Sequence, residues 1–400
     1  MAILAVNAGS STLKFSLHPV QNDAVLGSLL SGNIQGLEPG GSPVLDWTFE
    51  GQRQSRPLPV TDEDRFAQAL RCLGELLSGN PALPALEAIA HRVVHGGEHF
   101  SDSVLVTGDV LAQLAQLNSL APLHQPQNLQ GIHAFQKAFP STPQVACFDT
   151  AFHATLAPVD YSFALPQWLA AQGVRRYGFH GLSYQYVMGV LQQRSTLAAG
   201  RVLMAHLGNG ASMCATLKGR SCATTMGFSA LDGLMMGTRC GTLDPGVLLY
   251  LMQQGWDFER LQNLLYKQSG LLGVSGISAD MRTLRADGSA AAQQAIDQFT
   301  HRIVRESGAL VACMQGLDVL SFSGGIGEHD TLLRTQVCEA LAWLGVELDP
   351  ALNLQATGDE VLAIHSPASR VQVWVIPTDE GLVAAREALK LLPRATAVLR

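Results

Sequence analysis

The sequence predicts an α/β protein made of two similar halves, and two repeated patterns indicate it. An apolar run at Ala2–Val6 enters a small polar loop at Asn7–Thr12, and Val202–Gly208 repeats the pattern in the second half. Further along each half, Ala88–Gly97 and Val319–Gly327 are apolar strands that run into paired glycines. A duplicated α/β unit accounts for both repeats.

The remaining elements follow from periodicity. Leu13–Leu17 alternates as a second strand after the first loop, and a matching strand runs through Leu217. The spacing of apolar residues predicts helices over Thr61–Leu77, with Thr61 as N-cap, and over Ser289–Met314. A strand at Val371–Ile376 precedes a helix at Leu382–Leu392.

The composition excludes several classes of protein. With 400 residues, 47% hydrophobic and 15% charged, the chain is expected to form two packed domains rather than a disordered one. A net charge of −7 without a run of Lys or Arg disfavours nucleic acid as a partner. No apolar stretch is long enough for a membrane-spanning helix, so no membrane partner is expected.

The seven cysteines favour a reducing compartment. Their number is odd and no C-x-x-C pair occurs, so neither a disulfide framework nor a zinc knuckle fits. We therefore expect a cytoplasmic protein.

Three glycine-containing segments suit phosphate binding. They are Asn7–Thr12, His206–Gly210 and Ser323–Glu328, each after an apolar strand. Small residues in a tight turn let backbone N–H groups point at a phosphate. None is a Walker A loop or a complete dinucleotide fingerprint. Each alone is more often an ordinary turn, but all three together favour a polyphosphate ligand.

Two arginines stand in nearly uncharged surroundings. Arg92 follows an apolar run beside Gly96 and Gly97, and Arg239 lies in a glycine-rich stretch. A buried guanidinium must meet an anion, either a structural carboxylate or a ligand. Two of them among glycines favour a bidentate grip on carboxylate or phosphate oxygens.

Three further polar groups have two interpretations each. Asp149 ends the apolar run Val145–Phe148 and is either a helix N-cap or a catalytic group. His180 is either a core histidine or a functional one. The acidic pair Asp379 and Glu380, after a strand, suits either Mg²⁺ or the start of a helix.

Taken together, the motifs resemble those of the acetate kinase family of short-chain acyl kinases. The resemblance covers essentially the whole chain in order: VNAGSSTLKFSL, HRVVHGGEHF, APLHQPQNL, FDTAFH, YGFHGLSYQYV, HLGNGAS, TTMGFSALDGLMMGTRCGTLDP, SGLLGVSGISADMR, SGGIGEH and PTDEG. It implies the fold of the acetate and sugar kinase, actin and heat-shock ATPase superfamily, with two ribonuclease-H-like domains and nucleotide in the interdomain cleft. The N-terminal domain would span 1–150, completed by a C-terminal helix at about 382–400. The C-terminal domain, 151–381, would bind nucleotide and form the dimer interface.

The resemblance also assigns roles to residues. Asn7 and Glu380 would bind Mg²⁺ or Mn²⁺, and Lys14 the nucleotide phosphates. Arg92 and Arg239 would hold the acyl carboxylate and the phosphoryl group, Asp149 would be the catalytic carboxylate, and His180 would stabilise the transition state. The nucleotide site would contain His206, Leu207, Gly208, Asn209, Gly210, Asp280, Met281, Arg282, Gly325, Ile326, Gly327, Glu328 and His329. The acyl pocket would be lined by Val94, Leu123, Phe179 and Ala230.

The implied activity is reversible, Mg²⁺-dependent transfer of the ATP γ-phosphoryl group to acetate, by direct in-line transfer, in a homodimer. Ala230 stands where many acetate kinases have proline, so propionate kinase is the alternative. The usual HGTSH motif ends here in Tyr184. A kinase for hydroxyl acceptors is a rival, as are a chaperone-like nucleotide clamp and a catalytically silent interaction protein.

Overall fold

The computed structural model describes residues 1–9, 11–38, 40–59, 64–121 and 124–393. The chain divides into two compact units. Unit 1 contains Met1–Ala151 together with the chain from Asp379 onward, and unit 2 contains Phe152–Thr378. The predicted domain boundaries, at 150 and 381, lie close to these divisions.

Among the described residues, six strands precede the first helix, and later in the chain groups of strands are separated by helices. In the first part they are β1 (Ala2–Ala8), β2 (Thr12–Gln21), β3 (Ala24–Val25), β4 (Leu30–Gln35), β5 (Val44–Phe49), β6 (Gln52–Pro57), β7 (Leu86–Val93), β8 (Val104–Leu105) and β9 (Gln144–Phe148). The later ones are β10 (Arg201–Leu207), β11 (Ala211–Leu217), β12 (Arg220–Thr224), β13 (Val319–Ser323), β14 (Leu362–Ala363) and β15 (Gln372–Val375).

In the chain, the helices lie between and after these strands. They begin with α1 (Arg65–Gly79), α2 (Gly108–Ala115), α3 (Gln125–Ala138), α4 (Pro158–Tyr161), α5 (Gln167–Ala170), α6 (Gly181–Arg194), α7 (Pro245–Gln253) and α8 (Phe258–Lys267). They continue with α9 (Gly270–Ser275), α10 (Met281–Asp287), α11 (Ala290–Met314), α12 (Gly324–His329), α13 (Thr331–Ala340), α14 (Pro350–Gln355) and α15 (Glu380–Leu391).

Unit 1 is built on one sheet. Its order is β6-β5-β4-β2-β1-β7-β9-β8, with β3 beside β2. Strands β1, β7 and β9 run parallel, whereas β2 is antiparallel to β1. Leu4, Leu13 and Leu73 are buried on one side of it, and α15 packs against β1 and β7.

Unit 2 repeats this arrangement. Its sheet has the order β12-β11-β10-β13-β15-β14, in which β10, β13 and β15 are parallel and β11 is antiparallel to β10. The series β11-β10-β13-β15 therefore corresponds to β2-β1-β7-β9 of unit 1. Helix α11 covers β11 and buries Phe299 and Ile303. The topology confirms the duplication predicted from the sequence.

The helix starts agree with the predictions to different degrees. Helix α11 starts where predicted, and Ser289 caps it by accepting from the Ala292 N–H. Helix α1 begins at Arg65, because Asp64 accepts from the Phe66 N–H, while the predicted N-cap Thr61 lies outside the described residues. Helix α15 begins two residues earlier than predicted, because Asp379 accepts the Leu382 N–H at 2.8 Å.

The third glycine segment is not the turn that the sequence suggested. Helix α12 starts directly after β13, at Gly324. The carboxylate of Glu328 folds back and accepts the N–H groups of Gly324, at 2.7 Å, and Thr378, at 3.1 Å. Because this side chain satisfies the first helical N–H group, the glycines can begin a helix.

Among the described residues, no helix is both long enough and apolar enough to cross a bilayer.

Candidate active site

Three of the predicted polar residues lie at one edge of the unit 1 sheet. Asn7, Arg92 and Asp149 come at the carboxyl ends of β1, β7 and β9, which are adjacent parallel strands. Such ends open at the same edge of a sheet, where α/β proteins bind ligands. Lys14 is the register partner of Asn7 across the β1–β2 hairpin. This hairpin closes with a 2.8 Å bond from the Gly9 N–H to the Thr12 carbonyl.

Arg92 and Asp149 form a bidentate pair. The guanidinium donates from Nε to Asp149 Oδ1 at 3.0 Å and from Nη2 to Oδ2 at 2.5 Å. The Asp149 side chain is 2% exposed and that of Arg92 is 22% exposed. Among the described residues, the hydrogen bonds of Arg92 use Nε and Nη2, so Nη1 remains for a ligand. Asp149 thus acts here as a partner of Arg92.

Glu380 adds a second carboxylate beside Arg92. It is the first residue of α15, and its Oε2 lies 3.6 Å from Arg92 Nε. Burial lowers the pKa of Arg92, but the charges of Asp149 and Glu380 more than offset this, so the pKa is raised. Arg92 is therefore a permanent cation with a fixed orientation. The Glu380 side chain is 26% exposed, so it is partly accessible.

An amide that the sequence analysis missed holds the first two loops together. Asn128, on α3, donates from Nδ2 to the Ala8 carbonyl at 2.9 Å and accepts the Val94 N–H at 3.0 Å. One turn earlier on α3, Gln125 bonds both the N–H and the carbonyl of His95. The signal was present in the polar run HQPQN at the start of a helix, because residues three apart share one helix face.

In unit 2, His180 is held in an uncommon backbone conformation. Its φ of +57° lies in the left-handed region, and it caps α6. The preceding carbonyl, of Phe179, accepts from His153 Nε2 at 2.9 Å, and His153 Nδ1 lies 2.9 Å from Ser221 Oγ. Burial lowers the pKa of His153 to about 4, so it is a neutral anchor for this loop. His180 itself is half-buried, unlike a core histidine.

The His180 imidazole stacks on a second histidine. The centroids of His180 and His206 are 4.3 Å apart, with 29° between the ring planes. His206 is near the end of β10, and its Nδ1 lies 2.8 Å from Ser183 Oγ. The rings thus form a layer at the carboxyl edge of the unit 2 sheet.

Arg239 and His180 meet at Gly210. A Cβ placed on Gly210 would lie 2.7 Å from Arg239 Nη2 and 3.3 Å from His180 Nε2. Arg239 also donates from Nη1 to the Ala230 carbonyl at 2.5 Å. The absence of a side chain at Gly210 therefore lets a cation and an imidazole nitrogen converge beside the β10–β11 loop.

A cavity of about 1170 Å³ opens next to this loop in unit 2. Its lining contains eight of the predicted nucleotide residues: Gly208, Asn209, Asp280, Met281, Arg282, Gly325, Ile326 and His329. The predicted residues His206, Leu207, Gly210, Gly327 and Glu328 are not part of this lining. The volume is ample for a small-molecule ligand.

Charged pairs line part of the cavity. Asp280 caps α10 and forms a bidentate pair with Arg282, whose hydrogen bonds lower the pKa of Asp280 to about 2. A second pair was missed from the sequence. Arg285 lies 3.1 Å from Asp330, on the next turn of α10 from Arg282. The spacing of the two arginines indicates that they share one face of the helix. The sequence does not show which carboxylate each arginine pairs with.

The predicted acyl residues are found in both units. Val94 follows β7 in unit 1 and is buried, and Phe179 in unit 2 is buried too. Ala230 is half-buried, and its carbonyl is the one that accepts from Arg239. Leu123 lies outside the described residues.

Comparison with known proteins places the chain in a family. A family model described as the Acetokinase family matches residues 2–386. A protein of Rhodopseudomonas palustris named acetate kinase is 50% identical, over 97% of this chain and 98% of that protein. One of Methylocella silvestris, also named acetate kinase, is 46% identical over 99% of each chain.

Solved structures agree with these matches. A propionate kinase of Francisella tularensis superposes with a TM-score of 0.90 at 36% identity, covering 98% of this chain and 100% of that one. The acetate kinase of Porphyromonas gingivalis superposes with a TM-score of 0.87 at 35% identity, with the same coverage. Sequence, fold and relatives agree, and the chain belongs to the acetokinase family of kinases.

Proposed function

We propose that this protein transfers the γ-phosphoryl group of ATP to acetate, giving acetyl phosphate and ADP, in a reversible reaction by direct in-line transfer. The observation that carries the proposal is the Arg92–Asp149 fork, which orients a permanent cation at a sheet edge without using all of its donors. Family membership supports the same chemistry. The cysteine usage favours a reducing compartment, so we place the reaction in the cytoplasm.

The proposed reaction requires stabilisation of charge rather than a general base. A carboxylic acid has a pKa near 4, so acetate is already ionised at neutral pH and needs no deprotonation. An anionic nucleophile must instead approach an anionic phosphoryl group. Phosphoryl transfer of this kind depends on positioning and countercharge. A kinase for hydroxyl acceptors would use a base, and Asp149 is occupied by Arg92 on both oxygens.

We assign countercharge to residues within each unit. In unit 1 we assign Arg92, through Nη1, to an oxygen of acetate or of the phosphoryl group. In unit 2 we assign Arg239 and His180 to the phosphoryl oxygens, since both groups converge at Gly210. The adjacent cavity with Asp280 and Arg282 is assigned to the nucleoside part of ATP.

The residues of unit 1 suit a hard divalent cation. Asn7 and Glu380 offer oxygen donors, the type that Mg²⁺ prefers. Among the described residues, no group of three or more His, Cys, Asp or Glu side chains is placed to hold a metal. Mg²⁺ is commonly held by one or two carboxylates and substrate phosphates, so two protein donors fit it. When bound, Mg²⁺ or Mn²⁺ would neutralise phosphate charge.

A hydroxylamine assay tests the proposal. Purified protein is incubated with ATP, Mg²⁺ and acetate, and hydroxylamine traps acetyl phosphate as the hydroxamate. We expect hydroxamate to form in proportion to ADP. ADP release without hydroxamate, or activity only with a sugar, would refute acetate as acceptor. Omission of the metal, with EDTA present, is expected to abolish the signal.

Propionate is the competing acceptor. Ala230 is small and half-buried, and one methylene changes discrimination by only about 1–3 kcal/mol. The similar structure from Francisella tularensis is called a propionate kinase. We expect measurable propionate phosphorylation. A ratio of kcat/KM for acetate over propionate in the thousands would contradict a pocket with room for the extra methylene. Side-by-side assays with acetate, propionate and butyrate decide this.

We also propose a homodimer that uses unit 2. Helices α7 and α8 contain no buried residue, although α7 is mostly apolar. Leu249, Tyr250, Met252 and Phe258 are 57–73% exposed. Such a patch on a folded chain indicates an interface. We expect light scattering to give a dimer and Leu249→Glu to give a monomer, while an exposed Leu354→Glu control remains dimeric.

A further inference from the structure

His180 is connected to a buried hydroxyl chain that the assigned reaction does not use. Its Nδ1 lies 2.8 Å from Ser212 Oγ, and the same oxygen lies 2.5 Å from the Tyr184 hydroxyl. Ser212 and Tyr184 are both fully buried. Because water does not reach these hydroxyl groups, each hydrogen must go to a protein acceptor.

The direction of each hydrogen bond between these hydroxyl groups follows from counting donors and acceptors. Among the described residues, Ser212 Oγ has two partners, Tyr184 Oη and His180 Nδ1. The Tyr184 oxygen is also hydrogen-bonded to the backbone of His206, and this bond favours the phenolate, so the backbone N–H is the donor. The phenol hydrogen therefore goes to Ser212. Burial raises the pKa of Tyr184 well above its usual range, so that hydrogen stays on the phenol.

The hydroxyl hydrogen of Ser212 also needs an acceptor. Its oxygen accepts from Tyr184, so its own O–H donates to His180 Nδ1. A ring nitrogen that accepts a hydrogen bond carries no hydrogen. In a neutral imidazole the hydrogen is then on Nε2, the nitrogen that faces the Gly210 position beside Arg239.

We infer that Tyr184 and Ser212 are positioning residues, which fix His180 in the tautomer that donates a hydrogen bond from Nε2. The consequence for catalysis rests on the proposed function, because His180 would then offer an N–H to the phosphoryl oxygens next to the Arg239 cation. The tautomer itself does not depend on the reaction.

The ring plane is fixed from the other side. His206 stacks on His180, and His206 Nδ1 meets Ser183, which accepts from the Thr378 hydroxyl at 2.9 Å. The hydroxyl chain therefore sets the hydrogen on His180, while the stack sets the orientation of its ring. A donor placed this way costs little reorganisation when charge develops.

Nitrogen NMR of the full-length protein tests the tautomer directly. Protein labelled with ¹⁵N-histidine is measured at mildly alkaline pH, and His180 is assigned from the spectrum of His180→Gln. We expect an unprotonated Nδ1 and a protonated Nε2. A hydrogen on Nδ1 of the wild-type protein would overturn the inference, whatever the activity. Ser212→Ala is expected to shift His180 toward a mixture of tautomers.

Kinetics then separate positioning from stability. For Ser212→Ala and Tyr184→Phe we expect kcat to fall about three- to tenfold, the effect of one hydrogen bond, with unchanged KM for ATP and acetate. Ser212→Thr, which keeps the hydroxyl, is expected to restore most of the rate. Ser307→Ala, a matched buried serine on α11, is expected to leave kcat unchanged. Wild-type kcat and an unchanged His180 spectrum in Ser212→Ala would refute the role. Absence of all kinase activity in the wild type, with the expected tautomer, would refute only the proposed function.

Discussion

Substitution of Gly210 by alanine is expected to impair turnover without unfolding the protein. The added Cβ would lie 2.7 Å from Arg239 Nη2 and 3.3 Å from His180 Nε2. The backbone of Gly210 is not among the glycines with positive φ, so alanine is compatible with its conformation. The nearest atom is the end of a long side chain, which can move at little cost in stability.

The magnitude follows from the displacement. A carbon and a nitrogen normally approach no closer than about 3.4 Å, so the Arg239 guanidinium must move by about 0.7 Å, against its bond to the Ala230 carbonyl. A displacement of about 1 Å at a reacting group can cost about 100-fold in rate. We therefore expect kcat of Gly210→Ala to fall about 10- to 100-fold, which is about 1.4–2.7 kcal/mol in activation free energy.

Steady-state kinetics and urea unfolding, performed together, check this expectation. The free energy of unfolding should change by less than about 1 kcal/mol, as is usual for Gly→Ala at a compatible position. Gly308→Ala on α11, where a Cβ would meet nothing within 4 Å, is the matched control and should leave kcat unchanged. If Gly210→Ala kept the wild-type kcat, Arg239 would not need the position described here.

The other predictions concern charge, pH and specificity. Arg92→Lys keeps the cation but cannot form the bidentate pair with Asp149, so kcat should fall about 100- to 1000-fold, with a smaller loss of stability. Steady-state kinetics and thermal unfolding measure the two effects. A near-normal kcat would argue against a role of the bidentate pair in catalysis. Burial lowers the pKa of His91 and His153 to about 4, so both bind protons on unfolding below about pH 6.5. The free energy of unfolding should therefore drop by about 1.4 kcal/mol per pH unit for each histidine between pH 6.5 and pH 4, and His153→Gln should flatten the slope in urea titrations. Ala230→Pro should lower kcat/KM for propionate about tenfold relative to acetate, and an unchanged ratio would place the acyl group elsewhere.

The pattern of strands could be predicted well because it depends on local sequence. Apolar runs such as Ala2–Val6 and Val319–Phe322 have strand length and are followed by glycine-containing segments, and the duplicated topology follows from their repetition. Helix α12 was missed for a different reason. The carboxylate of Glu328 satisfies the N–H groups at its start, and glycine alone suggests a turn.

The candidate site was predicted as residue types more than as contacts. That Arg92 needs an anion follows from its surroundings, but the choice of Asp149, far away in sequence, depends on how β7 and β9 pair. Asn128 and the Arg285–Asp330 pair were missed because an exposed polar residue and a buried clamp look alike in a sequence. Only the register of the strands and helices tells them apart.

The interrupted course of unit 1 has a consequence for biosynthesis. Its last helix, α15, packs on β1, β7 and β9 and buries Leu382, Val383 and Ala385 there, while all of unit 2 is encoded in between. During translation, the continuous middle segment can acquire its native packing as soon as it leaves the ribosome. The sheet of unit 1, made earlier, must wait with an uncovered apolar surface until α15 emerges. Unit 1 is thus the part of the nascent chain most exposed to aggregation, and the part for which a chaperone would matter most.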